Sequence, residues 1–212
     1  MNAILSSPQP LPAALQQPAP DPSRRRLVGN HPLDRKGLDH FNQVLARLHR
    51  APLDCDQLAS AARQLAQAPT AVREPDCIRQ RLRRATVIGL MVADPAWRPA
   101  NDAIDPARLV LDYVRSDRDL IPDHLPRLGR LDDAIVVDAA CPQLADEVDC
   151  YLDYCRVRRV EAELRGCEAS QFAFGRDDWE RARRAEAIWI AHCRAVSRRS
   201  YLPSPATYFR VC

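Results

Sequence analysis

Glycine is scarce, with six in 212 residues. Loops that wrap a nucleotide spend glycines to bring backbone amides up to phosphate, and no such loop is present. Also absent are a Gly-x-Ser-x-Gly elbow, a His-Glu-x-x-His pair and any Cys-x-x-Cys pair. These absences remove the commonest signals for a serine hydrolase, a zinc peptidase, a zinc ribbon and a thioredoxin-type site. No run of about 20 apolar residues occurs, so no membrane-spanning helix is expected. Aromatics make up only 6% of the chain, which leaves the core to Leu, Val, Ile and Ala. Lysine is almost missing: Lys36 stands alone and every other basic residue is Arg.

What is present fits a globular chain, 46% hydrophobic and 28% charged. The formal net charge is only +3, too small to argue for nucleic-acid binding. The charge is uneven, however. Between Asp102 and Asp153, 13 acidic and 5 basic residues give −8; from Arg176 to Cys212, 8 basic and 4 acidic residues give +4. Such halves can clasp within one fold, meet in a dimer, or simply face solvent. Met1 to Pro20 lacks the basic start and apolar run of a secretory signal, so the eight cysteines read as reduced, buried thiols in a soluble cytoplasmic protein.

Residues 1–32 hold seven prolines among Gln, Ser and Ala, and predict a disordered tail that builds neither helix nor sheet. Arg24, Arg25 and Arg26 lie near its end. Residues 33–212 then read as a single helical domain. Leu38, Phe41, Val44, Leu45 and Leu48 recur at helical spacing. Asp54 or Asp56 can cap a second helix running to Gln67, with Leu58, Ala61, Ala62 and Leu65 inward. A third candidate spans Pro75 to Val92, basic at first and then apolar and buried from Ala85. Pro106 marks a helix start that continues through Arg108–Arg115. Further helices are expected over Leu131–Ala140, over Pro142–Leu164 with Leu144, Val148, Tyr151, Leu152 and Cys155 inward, and over Asp177–Ser197 with Trp179, Ile188, Trp189 and Val196. Gly166 is a C-terminal stop. Pro203 and Pro205 prevent the last helix from continuing. The fold class is therefore all-α, a compact bundle of about six or seven helices.

The segment Asp117–Asp138 reads DRDLIPDHLPRLGRLDDAIVVD. Asp119, Leu120, Ile121, Pro122 and Asp123, then Gly129, Leu131, Asp132 and Asp133, resemble the signature of the bacterial YkvA-like family. The motif match covers about 111–140, and a YkvA-like module would span about 106–165. The resemblance implies a small helical module with no known reaction. Members often carry a long apolar run after the paired aspartates and are thought to sit at membranes. Here Asp138 cuts that run after Val137, and His124, Arg127 and Arg130 replace apolar or aromatic positions.

Physically, Pro122 and Pro126 stiffen this elbow, Gly129 can supply a positive φ, and Asp132 and Asp133 fall in the first turn of a helix. Arg118, Arg127 or Arg130 can pair with spare carboxylates. Asp119, Asp123, Asp132 and Asp133 also form a candidate Mg²⁺ or Ca²⁺ site, although arginines compete and the spacing is not that of a calcium loop. His124 beside Asp123 is either a general base or an exposed loop histidine. Arg156, Arg159, Arg183 and Arg184 mark possible basic surfaces for phosphate or lipid headgroups.

The residues favour a non-enzymatic interaction or regulatory protein with a protein partner or a second copy of itself, no cofactor and no assigned catalytic residue. Two alternatives stay open: a metal-dependent hydrolase-like enzyme using the aspartates, and peripheral membrane or nucleic-acid binding through arginines, nucleic acid being the weaker of those two surfaces.

Overall fold

A computed structural model describes residues 9–16, 26–67 and 74–199. Among them are six α-helices and one two-residue-per-strand hairpin, so the fold is all-α. The helices are α1 (Arg35–Arg47), α2 (Cys55–Gln67), α3 (Asp76–Ala93), α4 (Asn101–Val114), α5 (Leu131–Leu164) and α6 (Arg176–Arg199). No described helix is long and apolar enough to cross a membrane. The chain divides into two compact units, Met1–Tyr151 and Leu152–Cys212.

In the first unit, side-chain caps set the starts of α1 and α2. The Asp34 side chain accepts from the Gly37 amide at 3.1 Å. Asp54 and Gln57 form a reciprocal capping box, each side chain taking the other's amide at 2.7 and 3.0 Å. Helix α1 ends with His49 in the left-handed region at φ 58°, where Arg50 N–H reaches back to the Leu45 carbonyl at 2.9 Å. Leu131 to Val137 are buried on every side, which makes the start of α5 the centre of this unit.

Several expectations need correction. The tail of residues 1–32 is structured where it is described. A 3-10 turn spans Ala13–Leu15, and β1 (Leu27–Val28) pairs antiparallel with β2 (His31–Pro32) around Gly29 at φ 60°. Leu11, Leu15 and Val28 are buried, the turn and β1 pack on α2, and Gln9 offers its carbonyl to Arg81 at 2.8 Å. Proline at the flanks of so short a turn removes no bond the turn needs. The remainder of the predicted tail, residues 1–8 and 17–25, lies outside the described residues, as do Pro203 and Pro205.

Pro106 does not start α4; it lies inside the helix, because Ala103, Pro106 and Ala107 share a buried face that extends the helix upstream. Likewise α5 is one 34-residue helix with Pro142 inside, not two. The missing Pro142 N–H costs one bond, to the Asp138 carbonyl. On α3 the apolar half is not uniformly buried: Leu90 and Val92 are exposed while the basic half contributes a buried Arg81. The buried face runs through Ile78, Arg81, Ala85, Ile88 and Met91 at helical spacing, and Leu90 falls off it.

In the second unit, Tyr154 rather than Cys155 points inward, with its hydroxyl donating to the Phe174 carbonyl at 3.0 Å. Phe172 and Phe174 stack at 5.6 Å, and the Arg165 guanidinium lies 5.0 Å over the Phe172 ring. Helix α5 stops at Gly166 (φ 67°) in a Schellman motif, with Cys167 N–H on Ala162 and Gly166 N–H on Glu163. The described cysteines are less buried than expected: Cys77 is buried, Cys55, Cys141 and Cys150 are half-buried, and Cys155, Cys167 and Cys193 are exposed, with no disulfide among them.

Candidate functional site

The Asp-rich elbow between α4 and α5 is built by short turns. The Leu125 N–H bonds the Pro122 carbonyl at 3.0 Å, and Gly129 N–H bonds the Leu125 carbonyl at 2.9 Å. Gly129 is required by crowding, not by a left-handed backbone: a Cβ there would lie 2.6 Å from the Asp123 carbonyl carbon. The positive φ of the elbow belongs to Arg127, at 67°. From that position Arg127 donates to the Leu65 and Ala66 carbonyls at 3.0 and 3.3 Å, closing the C-terminal end of α2.

Asp132 is the anchor, at 1% exposure. Its Oδ2 accepts from Tyr113 Oη at 2.9 Å and from the amides of Leu120 and Ile121 at 2.9 and 3.1 Å. One carboxylate thus fastens α4, the elbow and α5 together. Asp133, 2% exposed, pairs with Arg130 Nε at 3.2 Å. Arg130 also lies 3.7 Å from Asp123. The Oδ1 atoms of both Asp132 and Asp133 are buried without a hydrogen-bond partner.

Burial pushes the Asp132 carboxyl up to about 6, against the pull of the Ile121 amide and the Tyr113 hydroxyl. Burial and then the neighbouring Asp132 charge push Asp133 up to about 8, with Arg130 opposing. Asp119, half-buried, is raised by burial and by Asp123 and Asp117. The Tyr113 hydroxyl is held strongly protonated by burial and by Asp132. At neutral pH the adjacent pair therefore retains about one proton.

The five motif positions separate into two groups. Asp132 and Asp133 lie inside, whereas Asp123 and His124 are exposed and Asp119 is half-buried at the margin. Among the described residues no three His, Cys, Asp or Glu side chains are arranged to hold a metal ion.

Sequence reasoning missed a second charged centre. Arg81, with its side chain 5% exposed, donates through Nε and a terminal nitrogen to Asp138 Oδ1 at 2.8 and 2.7 Å, while Arg50 reaches Oδ2 at 3.1 Å. Arg81 also donates to the Cys77 and Gln9 carbonyls. The signals were an acid interrupting an apolar run at 138 and a base in the apolar register of α3. A third buried acid, Glu147, accepts from Trp97 Nε1 at 3.0 Å and from the Ala100 amide at 3.3 Å.

Two of the expected basic residues are ion-paired within the second unit, Arg156 exposed and Arg183 half-buried. Arg156 and Arg183 converge on Asp153 at 2.8 and 2.6 Å, where Trp179 Nε1 also donates at 2.8 Å. Burial alone would raise the Asp153 carboxyl, but Trp179 and the two arginines outweigh it and the carboxyl lies below its ordinary range. Arg159 and Arg184 are exposed.

No family model, no curated protein and no solved structure matches this chain.

Proposed function

We propose that this chain is a non-enzymatic interaction protein carrying a YkvA-like helical module, acting in the cytoplasm on a protein partner, including a second copy of itself, rather than on nucleic acid. The observation that carries the reading is the use made of Asp132. Its Oδ2 is spent on two buried amides and a buried tyrosine, which is how a carboxylate holds backbone together, not how it meets a substrate. Arg130 stands over Asp133 and Asp123 and occupies the place a cation would need. Arg156 and Arg183 are likewise paired with Asp153.

The test is a thermal melt of the full chain with and without millimolar Mg²⁺ or Ca²⁺, alongside phosphate-ester and peptide hydrolysis assays in the same ions. The expected result is no change in Tm and no turnover. Metal-dependent hydrolysis that disappears in Asp119→Asn and Asp123→Asn would overturn the proposal.

A further inference from the structure

The surface not explained by packing is α6. From Arg184 to Arg198 every residue of this helix is exposed. Nine large apolar side chains stand exposed among the described residues, and four of them are Ile188, Trp189, Ile190 and Val196 on this one helix. Ile188 and Trp189 are 67% and 65% exposed. At 100° per residue, Ala185, Ile188, Trp189, His192 and Val196 share one face. The 6.1 Å separation of the Trp189 and His192 rings agrees with that face. Arg184, Arg194 and Arg198 fall together on the adjoining face, and no ion pair among the described residues engages them. A helix half of this length is marginal in water unless an apolar stripe is buried against something, and no described residue of its own unit buries this one.

We infer that α6 docks onto the acidic face of a second copy of this chain. The inference rests on the interaction reading above and names its partner. The counter-surface is present in the same sequence: Asp102, Asp105 and Asp112 on α4, and Asp146 and Asp149 on α5, are exposed carboxylates. They belong to the segment whose net charge is −8, and α6 begins the segment of net +4. In a two-fold dimer each copy gives one α6 and receives one, so the contact is made twice and the assembly closes.

Sedimentation equilibrium of the full chain, from about 1 to 200 µM, reads the association directly. The expected result is a dimer at low salt whose dissociation constant rises with ionic strength, as a contact between opposite charges requires. Trp189→Asp is expected to give a monomer with an unchanged far-ultraviolet helix signal. Arg194→Glu with Arg198→Glu is expected to weaken the dimer at least about tenfold. Mixing that variant with Asp146→Arg/Asp149→Arg is expected to restore association, since the mutated faces become complementary again. A monomer at every concentration, or a dimer indifferent to both α6 variants, overturns the inference. So does a monomer whose Trp189 fluorescence shifts blue on vesicles containing phosphatidylserine. None of these outcomes bears on metal-dependent turnover, so the interaction reading and this partner assignment fail separately.

Discussion

Replacing Asp132 by Ala deletes the oxygen that accepts from the Leu120 and Ile121 amides and from the Tyr113 hydroxyl. Leu120 and Ile121 are both buried, so water does not freely replace the lost oxygen. A buried donor left without a partner costs about 1–3 kcal/mol, and three are stranded. Removing a desolvated carboxylate returns part of that. The net loss at neutral pH is therefore about 3–6 kcal/mol, or a fall in Tm of roughly 6–24 °C at about 2–4 °C per kcal/mol for a chain of this size. Tyr113→Phe removes one of the three bonds and is expected to cost about 1–2 kcal/mol. Asp132→Asn keeps an acceptor oxygen and falls between wild type and Ala. Urea unfolding followed by circular dichroism measures all three, with unchanged m-values required for the comparison. The pH profile adds an independent check. The folded Asp132 and Asp133 hold protons up to about pH 6 and 8, beyond the ordinary carboxyl value at which the unfolded chain releases them. Their contribution to stability is thus complete below about pH 4 and is lost as pH rises through about 6 and then about 8. Asp132→Asn removes the first step and, by removing a neighbouring charge, lowers the second, so its profile is shallower. An Asp132→Ala protein within about 1 kcal/mol of wild type would refute the anchoring role.

Asp138→Ala leaves the Arg81 guanidinium buried and unpaired and is expected to cost about 3–5 kcal/mol in urea unfolding, whereas Arg81→Met combined with Asp138→Leu recovers most of it. Gly129→Ala forces the elbow apart against the Asp123 carbonyl and is expected to lose about 2–4 kcal/mol, against about 1 kcal/mol for Gly166→Ala, where a left-handed φ is strained but space is open; paired melts separate the two causes. Asp54→Ala removes one half of the α2 capping box and should lower stability by about 0.5–2 kcal/mol in the same assay.

Helix identity was legible wherever apolar residues kept a 3.6-residue period, as in α1, or a short polar side chain stood at the start, as with Asp54 before α2. Proline misled the reading at both Pro106 and Pro142. A single lost hydrogen bond is a small cost beside the burial of a continuous apolar face, and only packing reveals that face. The motif residues were also legible, but not their division into a buried pair and an exposed margin. That division depends on Tyr113, which precedes the Asp119–Asp133 signature and arrives from α4. The pairing of Arg81 with Asp138 escaped notice because each looks like a local defect in its own helix, and their meaning exists only once the two helices are side by side.

The clamp at Arg81 has a consequence for the order in which the first unit is completed. Its carboxylate lies 57 residues further along the chain, and the Gln9 carbonyl that shares the same guanidinium lies 72 residues back. During synthesis the leading segment and α3 are therefore both present before the residue that joins them has been made. Without Asp138, a buried position on α3 would carry an unneutralised cation that favours water. The first turns of α5 thus supply the charge that lets Arg81 stay buried beside the Gln9 carbonyl.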